Sequence, residues 1–111
     1  MRDLSIPPPF TCPLEHEDGR AVIRPTGEVD LATARALEAR LQEALALQTD
    51  EIVLDLRGVD FLGSTGLRVL VGFAESATEG GRRFAIVRGP RAVQRVIELT
   101  GVEELLPLVD G

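Results

Sequence analysis

Ser64 and Thr65 are adjacent hydroxyls followed by Gly66 and a helical apolar pattern, and preceded by the strand-like run Val53 to Leu56 and a tight link. A hydroxyl can accept a phosphoryl group. The first N–H groups of a helix lack intrahelical partners, and the helix dipole favours negative charge there, so a phosphate on either residue would sit where anions are stabilised. It would add about −1.5 to −2 charges at neutral pH. The same residues also suit plain helix capping, with one hydroxyl accepting a backbone N–H bond.

Catalysis fits the residues poorly. Ser64 as a nucleophile needs an adjacent base, but the only histidine, His16, falls in a predicted hairpin, and there is no Gly-x-Ser-x-Gly elbow or Cys/His pair. Asp55 and Asp60 bracket a turn and read as acids that solvate it rather than as an acid/base pair. No Walker glycine loop with lysine is present, because all twelve basic residues are arginine. The chain therefore reads as a binding protein without a cofactor and not as an enzyme.

The elements that must hold Ser64 and Thr65 follow from periodicity. Residues 1–9 read as a Pro-rich flexible tail, and Phe10 to Leu14 and Ala21 to Pro25 as a hairpin turning at Glu17-Asp-Gly19, peripheral to the central strands because of Pro13 and Pro25. Thr26 to Asp30 reads as a turn ending in a helix cap, followed by helix one from Leu31 to Leu47 with Leu31, Ala34, Leu37, Leu41, Ala44 and Leu45 recurring at helical spacing. Glu51 to Leu56 is a central strand, reached by a right-handed parallel crossover. Helix two starts near Ser64, and its broad apolar arc from Leu67 to Ala77 is expected to be buried, with Gly72 explained by close approach of a neighbouring backbone. Phe84 to Val87 is a further strand. Helix three opens at Pro90 and closes at Gly101, and one short final element follows from Leu105 to Val109.

Composition narrows the partner classes. The formal charge of −6 argues against direct nucleic-acid binding, which needs a basic face. Arg82, Arg83, Arg88, Arg91 and Arg95 form a local basic stretch that reads as solvated surface with compensating acids. No apolar run approaches the roughly 18 residues of a membrane span, and the N-terminus has no signal core, so no membrane association is expected. Cys12 and His16 are each alone; neither an internal disulfide nor a His/Cys metal site can form, and the chain reads as cytoplasmic.

Three stretches then carry a resemblance. Val53-Leu-Asp-Leu-Arg-Gly-Val-Asp-Phe-Leu-Gly-Ser-Thr-Gly-Leu67 resembles the signature of STAS domains, especially the bacterial anti-sigma factor antagonists. Gly27-Glu-Val-Asp30 with Ala32-Thr-Ala34 resembles the family's entry to its first helix, and Leu99-Thr-Gly-Val102 its exit from the third. The resemblance spans about residues 10 to 109. It implies an α/β STAS domain over residues 10–111, with a mixed β-sheet, an N-terminal hairpin and helices packed on the sheet. It further implies that the unphosphorylated chain binds an anti-sigma factor that is also a serine-threonine kinase, so that a sigma factor is released for transcription. In that family the kinase modifies the second hydroxyl, which aligns with Thr65 (Ser64 is the lesser candidate), and a metal-dependent phosphatase reverses it. Asp30, Gly63, Ser64, Thr65 and Gly66 carry over as the partner-binding set. Gly63 stands where the family usually has Asp, and the chain ends at Gly111, where the family commonly adds a terminal helix. The alternative is a non-phosphorylated STAS scaffold docking to a stress-sensing, transporter or lipid-trafficking complex. The oligomeric state is left open.

Overall fold

The computed structural model describes residues 9–111, so the expected tail lies outside the described residues apart from Pro9. Its first strands, β1 (Leu14–Glu17) and β2 (Arg20–Ile23), form the expected antiparallel hairpin. Asp18 and Gly19 turn it with φ of 48° and 79°, the paired positive φ values that match the twist of two tightly linked strands. Beyond it come β3 (Gly27–Val29), α1 (Ala34–Ala46), β4 (Glu51–Asp55), β5 (Val59–Leu62), α2 (Ser64–Glu79), β6 (Arg83–Val87), α3 (Arg91–Thr100), a 3-10 turn (Glu103–Leu105) and β7 (Leu108–Val109).

The main sheet has the order β1-β2-β4-β6-β7, parallel except for the hairpin. Of the hairpin, only β1 lies at an edge of this sheet, β7 forming the other edge. β2 sits between β1 and β4 with Ala21, Val22 and Ile23 buried, which corrects the expectation for the whole hairpin; Pro13 and Pro25 flank the paired residues and interrupt no ladder. Side chains alternate along each strand. Ala21, Ile23, Ile52, Leu54 and Ile86 meet Leu37, Leu41, Leu70 and Phe73 in the core, while Val22, Val53 and Val87 cluster on the opposite face. Phe73 stacks edge-on against Phe84 with ring centroids 4.9 Å apart, fastening α2 to β6.

Periodicity missed a second sheet. β3 and β5 pair in parallel, where the sequence pattern predicts a turn and a link. Strands of three and four residues are too short to show an alternation, and a register shift between Gly27 and Glu28 breaks what pattern there is. α1 begins three residues later than expected. Leu31 is 79% exposed and lies outside the core, because the segment from Asp30 to Thr33 is tied into its own hydrogen-bonded turn. α3 follows Pro90 and ends at Gly101, whose φ of 78° satisfies the expected left-handed cap.

The core of the α2 stripe is buried as expected: Leu67, Leu70, Phe73, Ala74 and Ala77 face inward. Val69 and Val71 on its flanks are only half-buried. Gly72 is exposed, with nothing within 4 Å of where a Cβ would stand, so no neighbouring backbone explains it. The roughly 1 kcal/mol that glycine costs a helix relative to alanine is therefore not offset by packing there. The arginine stretch is dispersed: Arg82 donates to the Leu45 carbonyl (2.9 Å) and Thr49 Oγ1 (3.2 Å), and Arg88 pairs with Asp110 (3.2 Å) and Glu103 (3.7 Å). Among the described residues no helix is long and apolar enough to cross a membrane.

Candidate functional site

The small β3-β5 sheet positions the hydroxyls. Its register sets Val29 beside Leu62, and the Gly63 N–H donates to the Val29 carbonyl at 2.8 Å. The chain thus enters α2 alongside the exit of β3, which brings Asp30, the next residue after Val29, to the mouth of the helix. Five expected site residues therefore gather at one end of α2, one of them, Asp30, by a pairing that no local pattern announced.

Gly63 occupies the cap position in extended backbone. Ser64 is already the first helical residue, and no side chain caps the helix, so the expected capping role of Ser64 is not realised: a residue past the cap position has no N2 or N3 donor in reach. The first helical hydrogen bond runs from the Leu67 N–H to the Gly63 carbonyl at 3.0 Å. The N–H groups of Ser64, Thr65 and Gly66 precede it and have no intrahelical acceptor. Ser64 is exposed and Thr65 half-buried.

Gly66 lies beneath these residues. A Cβ on it would stand 2.5 Å from Val29 Cγ1 and 2.9 Å from Leu62 Cδ1, so its lack of a side chain lets α2 rest on the β3-β5 pair. Asp30 is held by its own turn. Its Oδ1 accepts from the N–H groups of Ala32 (3.0 Å) and Thr33 (3.2 Å), and the Thr33 hydroxyl donates to the Glu28 carbonyl (2.7 Å) while accepting from the Asp30 N–H (3.0 Å). Asp30 thus caps the turn that leads into α1 rather than α1 itself.

Two apolar residues at this end were missed. Phe61 is 47% exposed, and its ring edge lies 3.2 Å from the point a Cβ on residue 63 would occupy. The ring therefore takes the space next to Gly63 in which a side chain would project. Leu31 is exposed beside Asp30. The signal for Phe61 is an apolar residue within a stretch whose sequence reads as a turn; Leu31 falls on the helical period and so reads as core.

Asp55 does not solvate a turn. It is 6% exposed at the end of β4, where its carboxylate accepts from Arg57 Nε (3.0 Å), Nη2 (2.8 Å) and backbone N–H (3.0 Å), with Arg24 Nε at 3.7 Å. Arg24 also pairs with Glu15 and with Glu17 at 3.1 Å. The side-chain hydrogen bond from Arg57 holds the Asp55 carboxyl below its ordinary value, against the opposing effect of burial. The acid is buried and both arginines are substantially exposed, which places the pair between a surface ion pair and a broken buried one; Asp55→Ala is expected to cost about 2 kcal/mol. A group with a depressed folded pKa stabilises the chain fully above the unfolded carboxylate pKa and ceases to do so as pH falls through the folded one. Wild type and Asp55→Asn should accordingly differ by a constant amount above about pH 5 and converge below about pH 4. Urea melts across that range check this, and a gap that stays constant down to pH 2 would remove the ionised carboxylate from the account.

Cys12, half-buried, has its thiol pushed up to about 11 by burial, partly offset by Arg40, so it is protonated at neutral pH and is no nucleophile. Among the described residues no three His, Cys, Asp or Glu side chains gather as a metal site.

A hairpin leading into a mixed sheet, with helices covering one face and a glycine-capped helix that opens on paired hydroxyls, defines a STAS domain. The sequence matches the family model described as Mlab, STAS domain, over residues 12–109. It is 34% identical over 105 residues to the anti-sigma-F factor antagonist RsfB of Mycobacterium tuberculosis (strain ATCC 25618 / H37Rv), covering 95% of this chain and 85% of that one. The fold is similar to the crystal structure of an anti-sigma factor antagonist from Mycobacterium paratuberculosis, with a TM-score of 0.86, 36% identity, and coverage of 97% and 92% of the two chains. Unphosphorylated SpoIIAA shares the fold, with a TM-score of 0.75 at 19% identity over 91% and 88% of the chains. The chain belongs to the anti-sigma factor antagonists of the STAS family, regulators that act without catalysis.

Proposed function

We propose that the unmodified chain binds an anti-sigma factor through the N-terminal end of α2, frees a sigma factor for transcription, and is switched off when that anti-sigma factor, acting as a serine-threonine kinase, phosphorylates Thr65. A metal-dependent phosphatase restores the active form. The observation that carries the reading is the state of the two hydroxyls: neither caps the helix, and three N–H groups without intrahelical acceptors surround them. A phosphate there finds donors and the positive end of the helix dipole already in place, so modification changes the charge of the surface without refolding the domain. Asp30 and Gly63 frame the acceptor, and Gly66 acts beneath it by setting where α2 lies.

The test is intact-mass analysis after incubation with candidate anti-sigma kinases and ATP, with capture of the same kinases in its absence. A single phosphate absent only from Thr65→Ala is the expected result. Loss of the phosphate in Ser64→Ala instead would move the acceptor by one residue. Capture without modification by any candidate would favour the second reading, a constitutive antagonist or scaffold, for which the ring of Phe61 beside Gly63 is the supporting observation: an apolar contact stands where the family usually has an acid.

A further inference from the structure

An apolar groove of about 280 Å³ begins at Ser64 and is lined by Leu67, Arg68, Val71 and Val102. Leu67 is nearly buried, at 5% exposed, and forms its floor, while Val71 and Val102 are half-buried walls. Such a volume takes one apolar side chain and is smaller than most small-molecule sites, which run from about 300 to 1,000 Å³. The groove alone does not say what fills it. Arg68 does: it is exposed at the rim and forms no ion pair with any described residue. Its guanidinium offers a planar fork of donors that fits a carboxylate or a phosphate.

Position along the helix adds the second half. Arg68 lies four residues after Ser64 and three after Thr65, spacings at which helical side chains are neighbours, with Cβ atoms about 5–6 Å apart. A phosphate on either hydroxyl is within reach of the same guanidinium.

We propose that Arg68 is the residue through which the switch is read: on the unmodified chain it takes a carboxylate from a segment of the anti-sigma factor whose apolar side chain fills the groove, and on the modified chain it pairs with the phosphate. The inference rests on the antagonist reading above and names the chemistry of the partner segment, an apolar side chain with an acid close to it. Modification then acts twice, repelling the partner's carboxylate and occupying the cation that held it. The occupant is a segment of the anti-sigma factor rather than a second copy of this chain, because an unpaired cation at the rim calls for an acid beside the apolar anchor, and the phosphorylatable hydroxyl at the same rim makes binding conditional.

Two measurements test it. With phosphothreonine installed at position 65 during translation, the second phosphate pKa read by phosphorus NMR should be about half a unit lower in wild type than in Arg68→Gln, because a neighbouring cation favours the dianion. Equal values overturn the pairing. Calorimetry of the unmodified chain with the anti-sigma factor that wild type binds should show Arg68→Gln about tenfold weaker and less sensitive to salt, with Arg68→Lys intermediate. Binding of Arg68→Gln within twofold of wild type overturns the partner contact. If wild type binds no anti-sigma factor at all, the antagonist reading fails and takes the carboxylate contact with it, while the NMR comparison still decides the phosphate pairing. Self-association of wild type that Arg68→Gln abolishes would assign the groove to a second copy and overturn the proposal. Arg68 is exposed, so all variants should keep the wild-type melting temperature.

Discussion

Phosphorylated at Thr65, the chain is expected to bind its anti-sigma factor about a hundredfold more weakly than the unmodified form, with the melting temperature of the free domain almost unchanged. A phosphate brings up to about two negative charges. Each, set about 6 Å from a partner carboxylate at an effective dielectric near 20, costs roughly 2.8 kcal/mol before screening. Halving that for solvent and salt leaves about 1.4 kcal/mol per charge, a factor of ten each. Inside the domain the same phosphate meets the free N–H groups of Ser64, Thr65 and Gly66 and is accommodated without rearrangement. Titration calorimetry of both forms at two salt concentrations checks the number. The penalty should shrink at high salt; a penalty that is independent of salt would mean that steric exclusion rather than charge releases the partner.

Gly66→Ala should cost about 2 kcal/mol of stability, although alanine is the better helix former. The added Cβ has no room: Val29 Cγ1 would be 2.5 Å away and Leu62 Cδ1 2.9 Å away, and both side chains belong to fully packed core positions. Valine is β-branched and stiff, so its methyl cannot rotate aside cheaply. Overpacking of this kind costs about 1–3 kcal/mol, and the helix-propensity gain of up to about 1 kcal/mol offsets part of it. Urea unfolding gives the value, and a double-mutant cycle identifies the cause. Val29→Ala alone leaves a cavity, but combined with Gly66→Ala it makes space for the new methyl, so the pair should lose at least 1 kcal/mol less than the sum of the single changes. Additive effects would show that the clash is relieved elsewhere, for example by a shift of α2 as a whole.

The core helices, the central strands and the hydroxyl pair at the mouth of α2 were legible in the sequence because each depends on near neighbours along the chain. Leu67, Leu70 and Ala74 declare a buried helix face by spacing alone. Ile52 to Leu56 declare a covered strand by near-continuous apolarity, and Gly101 declares a helix end because only glycine adopts its φ at little cost. Ser64 and Thr65 stood out by type and by their place at a helix start. Tertiary structure decided how those parts act together. The pairing of β3 with β5 joins Val29 to Leu62 across more than thirty residues of sequence, and it brings Asp30 to the mouth of α2, sets Gly66 against Val29 and Leu62 and turns Phe61 outward. Asp55 became a buried ion pair rather than a turn acid because Arg24 arrives from β2 and Arg57 folds back from the following turn. Arg68 acquired its groove when Val102, from beyond α3, closed one wall. Periodicity records which face of an element is apolar; what lies across from that face is set by contacts between distant segments, whose free energy arises only when the whole chain packs.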